Sequence, residues 1–127
     1  MRCLLDTHVA LWLFEGNGKL SQNARNVIFD NDNEIYVSII SAWEVAIKVS
    51  IDKLDFEGGS EAFLAAIEAN SIDLLGVGGE HIKIVERLPF VHRDPFDRII
   101  IASALAEDLT IITDDESIRR YDVPLTW

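Results

Sequence analysis

The chain has 127 residues, 49% hydrophobic and 26% charged, which fits one folded water-soluble domain rather than a disordered or fibrous chain. Its net charge of −11, from 22 acidic and 11 basic residues, disfavours broad electrostatic binding of nucleic acid, which depends on Lys and Arg contacts to phosphate. No apolar run reaches the roughly 18 residues of a membrane span, and the single cysteine, Cys3, excludes an internal disulfide and indicates a reducing, cytoplasmic location.

Short β-forming segments alternate with segments of helical spacing along the whole chain. In chain order the sequence predicts strand 2–5, helix 7–15, a turn at 16–21, helix 22–32, strand 34–38, helix 41–54, helix 61–70, strand 72–77, helix 79–88, helix 95–108, strand 109–113, helix 114–121 and strand 123–127. The alternation predicts an α/β fold in which a parallel sheet of four to five strands carries helices on both faces. No linker divides the chain, so we expect one domain over residues 1–127.

Four acidic residues fall where predicted strands and helices meet. Asp6 directly follows the first strand, and Glu44 is expected in the first turn of the helix after the second strand. Asp97 and Asp115 are expected at the starts of the helices on either side of strand 109–113. Because ligands bind at the carboxyl ends of parallel strands, we expect these carboxylates to approach one another at one edge of the sheet.

Helix capping is the simplest alternative role for these acids. Ser41 and Glu44 in "SAWE" have the spacing of a capping box, and "DPFD" places Asp94 at a helix cap with Asp97 three residues later. The stretch "TDDE" at 113–116 fits the same pattern. Capping leaves the repulsion between four neighbouring anions unexplained, whereas a bound cation would relieve it. An all-oxygen ligand set favours Mg²⁺ or Mn²⁺ over zinc.

The stretches "LLDTHVALW", "SAWEVAIK", "HRDPFDRIIIASA" and "TIITDD" resemble the PIN domain family, and in particular the VapC-type toxins of bacterial toxin–antitoxin pairs. The resemblance covers the chain in order and implies the three-layer PIN fold. The metal-binding acids of the family match Asp6, Glu44, Asp97 and Asp115. The threonine of the family matches Thr113, and Asp94 matches an acid that recurs in the most similar subgroup. Asp114, beside Asp115, is an alternative ligand.

The resemblance implies a Mg²⁺- or Mn²⁺-dependent endoribonuclease, the toxin of a type II toxin–antitoxin pair. Such an enzyme hydrolyses RNA phosphodiester bonds by a metal-activated water and leaves 5′-phosphate and 3′-hydroxyl ends. Asp6 and Asp97 are then the principal ligands of one or two ions, while Glu44 and Asp115 orient metal or water. Thr113 is expected to hydrogen-bond a carboxylate or a ligand water. A homodimer and a cognate antitoxin that blocks the site are also implied.

RNA binding by so acidic a chain requires local basic residues beside the metal. The candidates are Lys48, Arg93 and Arg98, together with Arg119 and Arg120. Ordinary ion pairing is their alternative role, for example between Lys48 and Glu44 four residues apart on a helix. RNA binding is therefore expected to be weak and sensitive to salt.

A second function is compatible with the same residues. A catalytically weak PIN-like domain could act mainly as a protein-binding module, as the acidic surface suggests. Helix 7–15, with Trp12 and Phe14, is apolar nearly all round and suggests a surface for a partner or a second copy. A phosphoacceptor receiver domain is excluded, because only Asp6 follows the first strand and no lysine follows the last.

Overall fold

Five short parallel strands form the centre of the computed structural model, which describes residues 1–127. The strands are β1 (Arg2–Leu5), β2 (Glu34–Ser38), β3 (Asp73–Leu75), β4 (Thr110–Ile112) and β5 (Leu125–Thr126). They pair in the order β3-β2-β1-β4-β5, and every pairing is parallel. The predicted parallel sheet is confirmed, with β1 at its centre.

Seven helices cover the two faces of the sheet. They are α1 (Thr7–Glu15), α2 (Gln22–Phe29), α3 (Ile39–Ser50), α4 (Gly59–Ala69), α5 (Gly79–Arg87), α6 (Pro95–Glu107) and α7 (Glu116–Arg119). Side chains of α1 to α4 pack on one face of the sheet, and those of α6 and α7 pack on the other. The three-layer α/β architecture expected from the sequence is therefore present.

The alternation of β1 shows how the sequence builds both cores. Cys3 and Leu5 point into the larger apolar cluster with the first four helices, whereas Leu4 points into the smaller cluster with α6. All three side chains are fully buried, as the two-residue period of a central strand requires. Cys3 is thus a buried hydrophobic residue without a disulfide.

Helix α3 begins two residues earlier than the sequence predicted, because its cap is a different serine. The Ser38 hydroxyl accepts a hydrogen bond from the backbone N–H of Ile40 at 3.0 Å, so β2 passes directly into the helix. Ser41 lies inside α3, where its hydroxyl is 2.8 Å from that of Thr7 on α1. The predicted capping box of Ser41 and Glu44 is therefore wrong, and Glu44 lies in the second turn of α3.

Most of the apolar surface of α1 is buried within the protein. Val9, Ala10 and Leu11 are buried, while Trp12 and Phe14 pack edge-on against the rings of Trp127 and Phe63. The idea that α1 provides a free apolar surface is consequently not supported. None of the seven helices combines the length and the hydrophobicity that a membrane span requires.

Candidate metal centre

Asp6 is one of two fully buried acids at the carboxyl edge of the sheet, where β1, β2 and β4 end, and the other is Glu44. Its backbone N–H extends the sheet by donating to the carbonyl of Ile112 at 3.1 Å. Asp6 stands at the N-cap of α1, yet its side chain makes no capping hydrogen bond. Its Oδ2 accepts from the Thr113 hydroxyl at 2.9 Å, whereas Oδ1 is buried and has no partner. A buried charged oxygen without a partner is costly unless a ligand satisfies it.

Thr113 links Asp6 to Asp115 through hydrogen bonds. Its hydroxyl, which donates to Asp6, also accepts a hydrogen bond from the backbone N–H of Asp115 at 3.0 Å. Asp115 caps α7 through Oδ1, which accepts from the backbone N–H groups of Ser117 and Ile118. Asp114 is exposed and lies 3.3 Å from Arg119. Of the two neighbouring aspartates, Asp115 is therefore the one tied to Asp6.

Glu44 approaches the same edge from α3. Its side chain is only 3% exposed, although Glu is rarely buried without pairing. Oε2 accepts from the Lys48 ammonium at 2.6 Å, the ion pair that the sequence offered as the alternative role of Lys48. Oε1 is buried without a partner, like Oδ1 of Asp6. Because Glu44 lies beyond the first turn, capping does not explain its burial.

In the "DPFD" stretch, Asp94 is the helix cap, and the side chain of Asp97 is not used for capping. Asp94 caps α6, since its Oδ1 accepts from the backbone N–H groups of Phe96 and Asp97 at 2.9 and 3.0 Å. Asp97 lies in the first turn and makes no capping bond with its side chain. Its Oδ2 is 3.0 Å from Nε2 of His92, while Oδ1 has no hydrogen-bond partner in the protein.

The four acids share one arrangement. In each, one carboxylate oxygen is bound by the protein and the other is left without a protein partner. Thr113 holds one oxygen of Asp6, and Lys48 holds one oxygen of Glu44. His92 holds one oxygen of Asp97, and the backbone of α7 holds one oxygen of Asp115. The unpartnered oxygens supply the hard ligands that suit Mg²⁺ or Mn²⁺.

The acids do not form a closed ligand set as they stand. No three Asp, Glu, His or Cys side chains come together in an arrangement that could hold a metal ion. Glu44 and Asp115 are held by contacts with their own helices, and Asp97 is held by His92 in the loop before α6. A pocket of about 200 Å³ opens beside Asp6 and Asp115, with His8, Trp12 and Asp114 as its other lining residues, and Glu44 and Asp97 do not line it.

The electrostatics of the acids show that they influence one another across this edge. Burial raises the pKa of Asp6, and the carboxylates of Asp115 and Glu44 raise it further against the lowering effect of Thr113 and His8. Burial likewise raises the pKa of Asp97 to about 6, with the His92 hydrogen bond opposing and the neighbouring acids adding. Crowded, partly buried carboxylates of this kind favour a bound cation.

The three basic candidates for RNA binding lie in different environments. Arg93 is exposed and forms no ion pair, whereas Lys48 is engaged by Glu44. Arg98 is buried, with its guanidinium donating to the Tyr121 hydroxyl and to three backbone carbonyls around the end of α5. Every contact of Arg98 is internal, so its place in the structure does not support the predicted contact with RNA.

Two residues beside the acids had no predicted role in the site. His92 contacts Asp97, and Tyr121 contacts His92 from a position 29 residues further along the chain. His92 precedes the "RDPFD" stretch, which could have drawn attention to it, but no local pattern links Tyr121 to it. His8, in contrast, is exposed at the rim of the pocket, as its place after Asp6 allowed.

The cap formed by Asp94 can be separated from any role in metal binding. We expect Asp94→Ala to lower the free energy of unfolding by about 1 kcal/mol, because two backbone N–H groups lose their acceptor. Asp94→Asn retains a capping oxygen and should keep both the stability and the activity of the wild type. Urea denaturation measures the first effect. Loss of activity in stable Asp94→Asn would show that the charge of Asp94 belongs to the site.

Comparison with known proteins identifies the family to which the chain belongs. The sequence matches the PIN domain family over residues 3–124, and the chain therefore belongs to this family. No curated protein matches the sequence significantly.

Solved structures share the fold over nearly the entire chain. The complex VapBC2 from Rickettsia felis, bound to a DNA fragment from its promoter, contains a chain with 18% identity and a TM-score of 0.76, covering 99% of this chain and 98% of that one. A chain of VapBC-1 from nontypeable Haemophilus influenzae is 17% identical with a TM-score of 0.68, and the match covers 99% of this chain and 97% of that one. A chain of a toxin–antitoxin complex from Klebsiella pneumoniae is 18% identical with a TM-score of 0.65, and the match covers 98% of this chain and 96% of that one. At these identities the likeness shows the PIN fold.

Proposed function

We propose that the protein is a Mg²⁺- or Mn²⁺-dependent endoribonuclease and the toxin of a type II toxin–antitoxin pair, formed by one PIN domain over residues 1–127. The observation that carries this proposal is the set of four acids with one unpartnered oxygen each, two of which are buried. Its support from comparison is the family itself and the fold shared with chains of toxin–antitoxin complexes. The RNA substrate also favours action in the cytoplasm.

The residues would divide the work as follows. Asp6 and Asp97 would be the principal ligands of the cation, and Glu44 and Asp115 would orient the cation or a water. Thr113 holds Oδ2 of Asp6 and the backbone of Asp115, so it fixes two of these groups relative to each other. A divalent cation at this site supplies Lewis acidity and neutralises charge that develops on a phosphate during hydrolysis. The expected products carry 5′-phosphate and 3′-hydroxyl ends.

The proposed RNA contacts are Lys48 and Arg93. Lys48 lies beside Glu44; burial lowers its pKa, but the hydrogen bond and charge of Glu44 and the charges of Asp94 and Asp97 together outweigh burial and leave the pKa raised. It is therefore a fixed positive charge within the acidic edge. Arg93 is exposed next to the start of α6. With a net charge of −11, the rest of the surface contributes repulsion, and binding depends on these residues and the cation.

A protein partner is part of the same proposal. Trp43, Ile82 and Phe90 are 57%, 54% and 75% exposed, and they line an apolar groove of about 480 Å³ between α3, α5 and α6. Apolar surface of this kind supports contacts with other chains. We propose a cognate antitoxin and a homodimer as the partners.

The test is RNA cleavage by the purified protein with and without Mn²⁺. Wild type should cleave only when the cation is present, and Asp97→Asn should reduce cleavage by roughly 100-fold or more, because an amide is a poor ligand for a hard cation. Product ends are identified by their reactivity with a 5′-phosphate-dependent exonuclease. Equal cleavage by wild type and Asp97→Asn would contradict the proposal.

A catalytically weak domain that binds proteins is the second candidate function. The exposed apolar groove and the absence of a closed ligand set favour it. A pure binding module should show no saturable Mn²⁺ binding in calorimetry, while the proposed nuclease should. The two functions are thereby distinguished without an RNA substrate.

A further inference from the structure

His92 connects the acid in the first turn of α6 to the interior of the protein. Its Nε2 lies 3.0 Å from Oδ2 of Asp97, and its Nδ1 lies 2.8 Å from the hydroxyl of Tyr121. The side chains of His92 and Asp97 are each 15% exposed, so water competes little for these bonds. Both ring nitrogens of His92 are therefore engaged, one of them by a proposed ligand of the cation.

Arg98 fixes the direction of these hydrogen bonds. Nη1 of Arg98 donates to the Tyr121 hydroxyl at 2.9 Å, and the backbone N–H of His92 donates to the same oxygen at 3.4 Å. A guanidinium and a backbone N–H can only donate, and a hydroxyl oxygen accepts two hydrogen bonds at most. With both accepted, the Tyr121 hydroxyl donates its own proton to Nδ1 of His92.

The tautomer of His92 follows from this direction. Because Nδ1 accepts a hydrogen bond from the Tyr121 hydroxyl, the ring proton of the neutral imidazole is on Nε2, which donates a hydrogen bond to Oδ2 of Asp97. This bond fixes the carboxylate plane and leaves Oδ1 as its unpartnered oxygen. Arg98 in turn cannot move freely, since it also donates to the carbonyls of Val85, Leu88 and Pro89.

We propose that His92, held by Tyr121 and Arg98, is a positioning residue that presents Oδ1 of Asp97 to a divalent cation. The inference rests on the proposed function, because it takes Asp97 as a ligand. The alternative is a purely structural role, in which His92 only packs its ring edge-on against Tyr121, with centroids 5.4 Å apart. In the positioning role, any hydrogen-bond donor at the place of Nε2 should preserve cation binding. In the structural role, only a ring that packs against Tyr121 should preserve it.

A pair of substitutions separates donation from packing. His92→Leu removes the donor and should weaken Mn²⁺ binding, measured by calorimetry, by about 10–100-fold. His92→Gln replaces the ring but can place an amide N–H near the former Nε2, and should restore most of the affinity. In RNA cleavage His92→Leu should lower kcat with little change in KM. Equal loss of Mn²⁺ affinity in both variants, with melting temperatures showing that both fold, would overturn the proposal.

The tautomer can be observed without any metal. Nitrogen-15 NMR of the wild-type imidazoles should show His92 protonated at Nε2 and not at Nδ1, and Tyr121→Phe should shift this preference and weaken Mn²⁺ binding. A His92 protonated at Nδ1 alone would contradict the proposed direction of the bonds. If wild type binds Mn²⁺ but His92→Leu binds it equally well, only this inference fails. If wild type binds no Mn²⁺, the proposed function fails and this inference falls with it.

Discussion

Asp6→Asn is expected to abolish RNA cleavage and, in the absence of divalent cations, to make the protein more stable. Cleavage should fall by roughly 100-fold or more, because the substitution removes a principal ligand from the proposed cation site. The stability gain should be about 1–3 kcal/mol, because wild type holds a buried carboxylate whose Oδ1 has no partner. Asparagine keeps an oxygen that can accept from Thr113. Loss of function with gain of stability separates a ligand from a structural residue.

The raised pKa values of the acids set the direction in which the free energy of unfolding changes with pH. The pKa values of Asp6 and Asp97 are raised in the folded protein, the latter to about 6. Between the unfolded value and the raised value, the folded state binds more protons than the unfolded state, so stability rises as pH falls from 7 toward 4. Asp6→Asn should weaken this trend in EDTA. Metal affinity should change in the opposite sense, because protonated carboxyls do not bind the cation.

Thermal denaturation in EDTA and in Mn²⁺ measures both effects. Wild type should gain stability on adding Mn²⁺, whereas Asp6→Asn should start higher in EDTA and gain little. Asp73→Asn is the matched control, because Asp73 is exposed at the amino end of β3, at the opposite edge of the sheet. It should behave as wild type in both buffers. An Asp6→Asn protein that is less stable than wild type in EDTA would contradict the account of Asp6 as an unsatisfied charge.

Arg98→Met is expected to destabilise the protein by about 3 kcal/mol without reducing the RNA affinity that folded molecules show in EDTA, where the effect of Arg98 on the cation site through Tyr121 and His92 plays no part. The guanidinium satisfies three backbone carbonyls and the Tyr121 hydroxyl in a buried setting, and methionine satisfies none of them. The free energy lost should lower the melting temperature by roughly 10 °C. Urea denaturation and RNA binding, measured below the transition, give the two quantities.

Arg93→Met provides the control, since it makes the same substitution five residues earlier at an exposed site. It should leave stability unchanged and weaken RNA binding, with a salt dependence reduced by about one phosphate contact. An Arg98→Met protein that is as stable as wild type but defective in RNA binding would support the contact between Arg98 and RNA that the sequence predicted.

The sequence predicted the sheet well because its signals are local. Strands such as residues 34–38 are rich in β-branched and aromatic side chains, and the observed β2 has the same bounds. The acids at strand ends were likewise visible from the alternation of elements. The start of α3 was not, because the spacing of Ser41 and Glu44 indicated Ser41 as the cap, whereas the structure has Ser38 at the end of β2 as the cap.

Contacts between distant residues were beyond local patterns. Arg98 has the charge of a surface residue, and its burial depends on carbonyls left free at the end of α5. Tyr121 reaches His92 only because α6 and the segment after α7 meet behind the carboxyl edge. The burial of Glu44 was also not predicted from its expected place at the start of a helix. In each case tertiary structure decides the role of a residue whose type allows several.

Calorimetric titration of Mn²⁺ into wild type and into Asp97→Asn tests the central claim most directly, because it asks whether the four acids form one cation site. We predict saturable binding by wild type and a loss of at least about 100-fold in affinity for Asp97→Asn, whose exchanged side chain offers only a neutral oxygen. Asp73→Asn should bind as wild type does. No saturable binding by wild type, or equal affinity in wild type and Asp97→Asn, would contradict the claim.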